Sequence, residues 1–466
     1  NGWPCIRYGV GETLVHYSDT MELEPWLAKE WENTDPLTWK ITLQDNVTFS
    51  SGRAMDAEAV KQCLEHLLAN HDRAAADTKI DSMEADGQVL TIHTSEPKPA
   101  LLNYLGDPYG CIIDVDAGFD DGIVAGTGPY IATDCQSGDH LTLVKNENYW
   151  NGDVNVDEIT VRTISDGDTL AMALQAGEIN AAYGMAYASY PLFENDDFTF
   201  TSTATSRAFY AWMNFESPVT SDPAVRKAIA MGIDKESFVS VLLKGYGYPA
   251  VGVFPDTFSF GGQNLTTESY DPDGAKKVLE EAGWVDSDGD GIREKDGVRA
   301  EFTVMFNPDD SVRQALAEDF ANQCKELGIE VRAEGYGWDV AYDKALSQPL
   351  VWGWGAHTPM ELYNIYHTGT DSDSAEYSPY ANETVDHYMD EALQADTLED
   401  SYDLWKKAQW DGENGVTQEG DIPWIWLVNI DHLYWSRKGL HVADQKLHPH
   451  GHGWSIVNNV DQWTWE

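Results

Sequence analysis

The stretch His448-Pro-His450-Gly-His452-Gly-Trp454 puts three imidazoles within five residues, and its glycines let an extended or tightly turned backbone aim them together. Neutral imidazole binds nickel, copper and zinc, so His450 and His452, with His357 elsewhere, are candidate metal ligands. The competing reading is a hydrogen-bonding histidine loop. Trp352-Gly353-Trp354-Gly355-Ala356-His357 is the densest aromatic and glycine segment. Glycine permits close backbone approach and indole offers a flat face with one donor, suited to stacking on a ligand or a peptide plane, with burial in the core as the plain alternative. Asp286-Ser-Asp288-Gly-Asp290-Gly291 has the carboxylates at 1, 3 and 5 and the glycine at 6 of a calcium loop. Position 12 is Gly297, where that loop needs a bidentate glutamate, so the expectation is a water-exposed acidic turn rather than calcium.

Much familiar chemistry is missing. No phosphate-binding Gly-x-x-x-x-Gly-Lys-Ser/Thr loop, Gly-x-Ser-x-Gly elbow, His-Glu-x-x-His helix or dinucleotide glycine turn occurs. The common nucleotide, hydrolase and zinc-protease activities therefore lose support. Lys and Arg number 29 against 79 Asp and Glu, a formal charge of −50, so a run of phosphates could not be neutralised and nucleic acid is excluded as a partner. Such a surface stays soluble, draws cationic solutes and suits a saline setting. With 18 Trp and 22 Tyr, a sugar-binding module or a carbohydrate-active enzyme is the different-class alternative.

The elements that must position these residues alternate between strand and helix. Leu37 to Leu43 alternates as a half-buried strand, and Asp56 then caps a helix with Val60, Cys63, Leu64, Leu67 and Leu68 on one face. Asp222-Pro223 and Asp271-Pro272 each read as an acidic cap with proline in the first turn, the second helix closing at Ala282-Gly283. Val312 to Leu327 has helical spacing, Gly328 stops it, and Ile329 to Val331 starts a strand. This pattern predicts an α/β chain with parallel sheets and ligands at strand ends or between domains. At 466 residues it holds two or more domains. No run reaches the roughly 18 apolar residues of a spanning helix, and the start does not read as a signal peptide. Among the five cysteines Cys111 with Cys135 is the favoured pairing, while Cys63 and Cys324 fall on apolar helix faces.

Read in order, Pro25-Trp-Leu-Ala28 with Trp31, Thr38-Trp-Lys40, Leu43 to Val47, Phe49 to Gly52, Gly126-Thr-Gly-Pro-Tyr130, Val144 to Trp150, Leu174 to Ile179, Asn214-Phe215, Asp222 to Ala228, Tyr270-Asp-Pro272 with Ala282-Gly-Trp284, the Asp286 turn with Arg293, and Gly328 to Val331 resemble the family 5 extracellular solute-binding proteins of ABC importers. Each piece is weak alone, but their order spans nearly the whole chain. The resemblance implies an α/β fold of two lobes, the periplasmic-binding-protein type of class II or cluster C. Lobe I would be residues 1–214 plus 428–466, with an extra subdomain at about 22–157, and lobe II residues 215–427. The opening strand usual in the family is expected upstream of Asn1 or missing.

The resemblance further implies a non-catalytic receptor that captures a peptide or peptide-like solute in an interlobe cleft, closes on it and docks on ABC permease subunits. The alternative within the family is nickel or another metal chelate as cargo; no cofactor is required. Trp354 matches the aromatic segment that lines the pocket of both peptide and nickel binders. Many peptide binders follow it with an aspartate for the α-amino group, where this chain has His357-Thr358-Pro359. Arg73 falls where nickel-complex binders carry a pocket arginine, Ala76 replaces their nearby tryptophan, and their second arginine is absent near Tyr109. Expected solute-contacting residues are thus Trp354, His357, Arg73, Tyr109, Trp3, His450, His452 and Trp454. The protein is expected to be a monomer, extracellular or periplasmic, free or held by a lipid anchor.

Overall fold

The structure is a computed structural model that describes residues 2–71, 73–119, 122–262, 270–370, 379–442, 447 and 460–466. The chain divides into two compact units, Asn1–Ala204 with His432–Glu466 and Thr205–Asp431. Two long strands, Phe198–Trp212 and Trp424–Arg437, run through the chain crossings from one unit to the other. The chain is α/β, as its alternation indicated.

In the first unit a four-stranded sheet is ordered Ala28–Asp35, Thr38–Leu43, Val89–Thr94, Ile80–Asp86. Trp39, Ile41 and Leu43 alternate into its core, where the helix Ala57–Asn70 lays Val60, Cys63 and Leu64 against them. Asp56 starts that helix as expected, its Oδ1 accepting from the Ala59 N–H at 2.9 Å. A three-stranded sheet, Tyr130–Gln136, His140–Lys145 and Glu158–Arg162, forms a second core with Val10, Val460 and Trp463.

One carboxylate ties this unit together. Glu12 is buried and accepts four hydrogen bonds, from Trp26 Nε1 at 2.8 Å, Thr127 Oγ1 at 2.8 Å, Tyr149 OH at 3.0 Å and Trp150 Nε1 at 2.9 Å. These donors belong to the Pro25-Trp26, Gly126-Thr127 and Tyr149-Trp150 pieces of the resemblance. Segments that looked unrelated in the sequence therefore meet at a single residue.

The second unit packs the helices Pro223–Gly232, Pro272–Glu281 and Ser311–Glu326 around Phe209, Trp284, Phe320 and Ile425. Asp222 and Asp271 cap the first two through Ala224 N–H at 2.9 Å and Gly274 N–H at 2.8 Å, with proline next in each. Asp222 also takes the Trp284 indole at 3.0 Å and the Lys295 ammonium at 2.7 Å, so this cap doubles as a core anchor.

The expectation of parallel sheets needs correction. Among the described residues Glu301–Phe306 pairs parallel with Glu330–Gly335 and makes a further parallel bridge from Met305 to Leu350, whereas eleven other strand pairs are antiparallel. The physical reason lies in the connections. A parallel pair needs a crossover, supplied here by the Ser311–Glu326 helix, whereas the strands Ile80–Asp86 and Val89–Thr94 are joined by a tight turn that returns the chain on itself. The favoured cysteine pairing also fails. Cys135 is exposed on Tyr130–Gln136, Cys111 is buried with Cys5 and Cys63 as sulfur neighbours, and all five thiols are free.

Candidate functional site

In the second unit the strand Val351–Gly355 pairs antiparallel with Phe198–Trp212, setting Trp354 opposite Ala208, Gly353 opposite Phe209, Trp352 opposite Tyr210 and Gly355 opposite Arg207. Alternation puts both tryptophans on one face and both glycines on the other. Gly353 is dictated by what lies over it. A methyl at Gly353 would come within 2.8 Å of the Phe209 ring and 3.2 Å of an Arg207 guanidinium nitrogen.

The tryptophan face is an aromatic wall. Tyr210 stacks on Trp424 at 4.5 Å and 11°, Trp212 stacks on Trp352 at 5.7 Å, and Tyr366 leans on Trp424 at 5.2 Å. Tyr210, Tyr366, Trp424 and Trp426 are buried, but Trp352 and Trp354 stay partly exposed. Ala208, the smallest available neighbour, leaves the Trp354 indole room on its side of the sheet. His357 follows at the strand end and is buried with Thr358 and Glu361, the last lying in the helix Met360–Tyr366.

Two buried arginines border this region. Arg207 lies 5.4 Å over the Phe209 ring. Arg313 pairs with Asp310 at 2.7 Å and sits 5.0 Å over Trp338 and 5.5 Å over Trp352. Burial pulls the Arg313 pKa down while the neighbouring Asp310 charge opposes it, so the guanidinium remains a cation in an aromatic setting. Neither arginine, nor Glu361, Tyr210, Trp424, Trp426 or Tyr366, stood out in the sequence. The available signal was a charge inside an apolar strand, Ser206-Arg-Ala-Phe-Tyr210.

In the first unit Arg73 and Tyr109 come together, the guanidinium 5.8 Å over the phenol ring. Tyr109 is buried on the single turn Pro108–Gly110, its OH donating to Asp77 at 3.2 Å while Asp77 lies 3.7 Å from Arg73. The His71 ring adjoins Tyr109 at 4.8 Å. The helix Gly2–Arg7 carrying Trp3 packs against the same turn. Burial pushes the Asp107 carboxyl up to about 6 and raises Asp77 despite the Arg73 charge. This surface thus presents groups of both signs around one aromatic ring.

His450, His452 and Trp454 lie outside the described residues. Among the described residues, ligand atoms of Asp286, Asp288 and Glu294 lie within 4.8 Å of one another in the acidic turn. Asp290 is held by Arg299 at 2.6 Å, and Asp286 accepts from the Gly289 and Gly291 N–H groups at 2.7 and 3.0 Å. The turn's own N–H groups and the Arg299 guanidinium thus orient these carboxylates.

Residues 22–376 match the family model described as bacterial extracellular solute-binding proteins, family 5, middle part. The chain is 28% identical over 451 residues to Protein XP55 of Streptomyces lividans, covering 92% of this chain and 82% of that protein. It is 28% identical over 440 residues to the glutathione-binding protein GsiB of Escherichia coli strain K12, covering 88% and 81%. Among solved structures it is similar to a nickel ABC transporter from Bacillus halodurans, with a TM-score of 0.79, 26% identity, and 99% and 95% of the two chains covered.

Proposed function

Because the chain belongs to the bacterial extracellular solute-binding proteins of family 5, non-catalytic receptors that deliver peptides or metal chelates to ABC permeases, we propose that its own solute is a short peptide or peptide-like zwitterion. The observation that carries this reading is the pairing of opposite charges with aromatic faces in each unit. Arg73, Asp77 and Tyr109 form one candidate surface, and Trp354 and Trp352 with the Arg313–Asp310 pair, His357 following at the strand end, the other. Aromatic rings supply apolar burial, and a few polar groups set orientation. A surface with carboxylates beside its arginine suits a molecule bearing both an amine and a carboxylate better than a purely anionic chelate. The similarity to a glutathione-binding protein supports the same reading.

A second reading is favoured by His357, an imidazole buried at the end of the tryptophan strand, and by the similarity to a nickel transporter. A nickel chelate would then be the cargo, with His357 able to enter its coordination and His450 and His452 as further candidates. The protein is proposed to work outside the cell membrane as a monomer, lipid-anchored or free, and to dock on ABC permease subunits.

Thermal unfolding with a mixed short-peptide library and, separately, with Ni(II) plus free histidine tests the two readings. Saturation at 100-fold over Kd stabilises by about 2.7 kcal/mol, so Tm rises by several degrees for the true class of solute. A rise with peptides alone supports the first reading, with the nickel complex alone the second. No rise with either overturns both. His357→Ala is expected to change which solute co-purifies with the chain. An identical solute profile by mass spectrometry removes His357 from the site.

A further inference from the structure

Cys5 and Cys111 meet over the Cα of one glycine, Gly11. A methyl at Gly11 would come within 2.4 Å of Cys111 Sγ and 3.5 Å of Cys5 Cβ, so the two side chains share the space that a larger residue 11 would fill. The backbone fixes this approach from both sides. Val10 and Gly11 donate to the Cys5 carbonyl at 2.9 and 3.2 Å, and Ile112 donates to the Glu12 carbonyl at 2.8 Å. Cys5 is partly exposed on the helix Gly2–Arg7, whereas Cys111 is buried just past the turn Pro108–Gly110.

We propose that Cys5 and Cys111 are a redox-sensitive pair that closes to a disulfide on meeting a small-molecule or protein disulfide, pinning the helix that carries Trp3 to the turn that carries Tyr109. The roles of the two sulfurs follow from access and ionisation. A hydrogen bond from the Cys111 thiol holds Cys5 below the usual thiol range, and the same bond, with burial, pushes Cys111 up. Cys5 is therefore the attacking thiolate and Cys111 the resolving thiol. Cys5 sulfur displaces one half of the donor as a thiolate and forms a mixed disulfide. Cys111 sulfur then attacks the Cys5 sulfur and expels the other half. The donor disulfide is reduced to two thiols, which take up the two protons that Cys5 and Cys111 give up, and one protein disulfide is formed.

The other thiols do not compete for this role. Cys63 is buried, engaged with the Cys111 carbonyl at 3.6 Å and the Ile113 N–H at 3.4 Å, and burial pushes its thiol up to about 11. Cys324 is buried in the core of the other unit, where burial raises its thiol, and Cys135 is exposed on a strand.

The test treats the full chain with 2-hydroxyethyl disulfide, quenches with acid, blocks free thiols in denaturant and maps peptides by mass spectrometry. The expected result is a peptide joining Cys5 to Cys111, lost on addition of dithiothreitol. Cys111→Ser is expected to leave Cys5 as a stable mixed disulfide with the reagent, and Cys5→Ser to leave Cys111 reduced. Both residues recovered as blocked thiols, or Cys111 joined to Cys63 or Cys135, would overturn the proposal. The effect on solute binding rests on the proposed function: if Trp3 and Tyr109 touch solute, the oxidised chain binds it severalfold more tightly than the reduced one. A crosslink that forms without changing affinity leaves the pair established and contradicts the role given to that surface instead.

Discussion

Trp354→Ala is expected to weaken solute binding about 30-fold or more, while lowering the stability of the solute-free protein by only about 1 kcal/mol. The contrast with its neighbours is the reason. Tyr210, Trp424 and Trp426 are buried in a stacked cluster, so truncating one of them opens a cavity in the unit itself. Trp354 stays partly exposed opposite Ala208, and its ring has surface left to bury when a solute arrives. Titration calorimetry for binding and differential scanning calorimetry for stability separate the two effects. Equal losses in both would make Trp354 a core residue.

Glu12→Ala is expected to destabilise the protein by about 3–5 kcal/mol, because four donors converge on that carboxylate and lose their acceptor inside the unit. Glu12→Gln should cost less. Its amide oxygen keeps one indole and one hydroxyl donor, the other hydroxyl can turn to accept from the amide N–H, and the other indole N–H is left facing that amide N–H. Burial, opposed by these hydrogen bonds, pushes the Glu12 carboxyl from 4.5 up to about 7. Between those values the folded chain keeps a proton that the unfolded chain has lost, so the contribution of Glu12 is full below the unfolded pKa and falls by about 3 kcal/mol as pH rises through 7. Urea unfolding across this window should show a flatter pH dependence in Glu12→Gln than in the wild type. Parallel curves would mean that Glu12 titrates alike in both states.

Features set by neighbours in sequence were legible before the structure. The caps at Asp56, Asp222 and Asp271 and the apolar face of Ala57–Asn70 are local, fixed by side chains within four residues of one another. Strand pairing is not local. The period of Leu37 to Leu43 says that the strand has a buried face, but not which partner it takes or in which direction, and the sheets came out mostly antiparallel. Glu12 was invisible for a different reason. In a chain of 79 acidic residues a single carboxylate carries no signal until its donors, more than 100 residues away in the case of Thr127 and Tyr149, are folded around it. Trp354 and His357 were found because tryptophan, glycine and histidine are dense there. Arg207 and Arg313 were missed because their burial is decided by Phe209, Trp338 and Asp310 together.

The central claim is that this protein holds a small solute and releases it unchanged. Native mass spectrometry with elemental analysis, on protein purified without chelator and then supplied with short peptides or with Ni(II) and histidine, measures this directly. The expected spectrum shows a noncovalent adduct of defined mass that leaves intact on denaturation and is depleted in Trp354→Ala. A wild-type chain that carries no adduct under either supply, or that returns the solute chemically altered, would contradict the account.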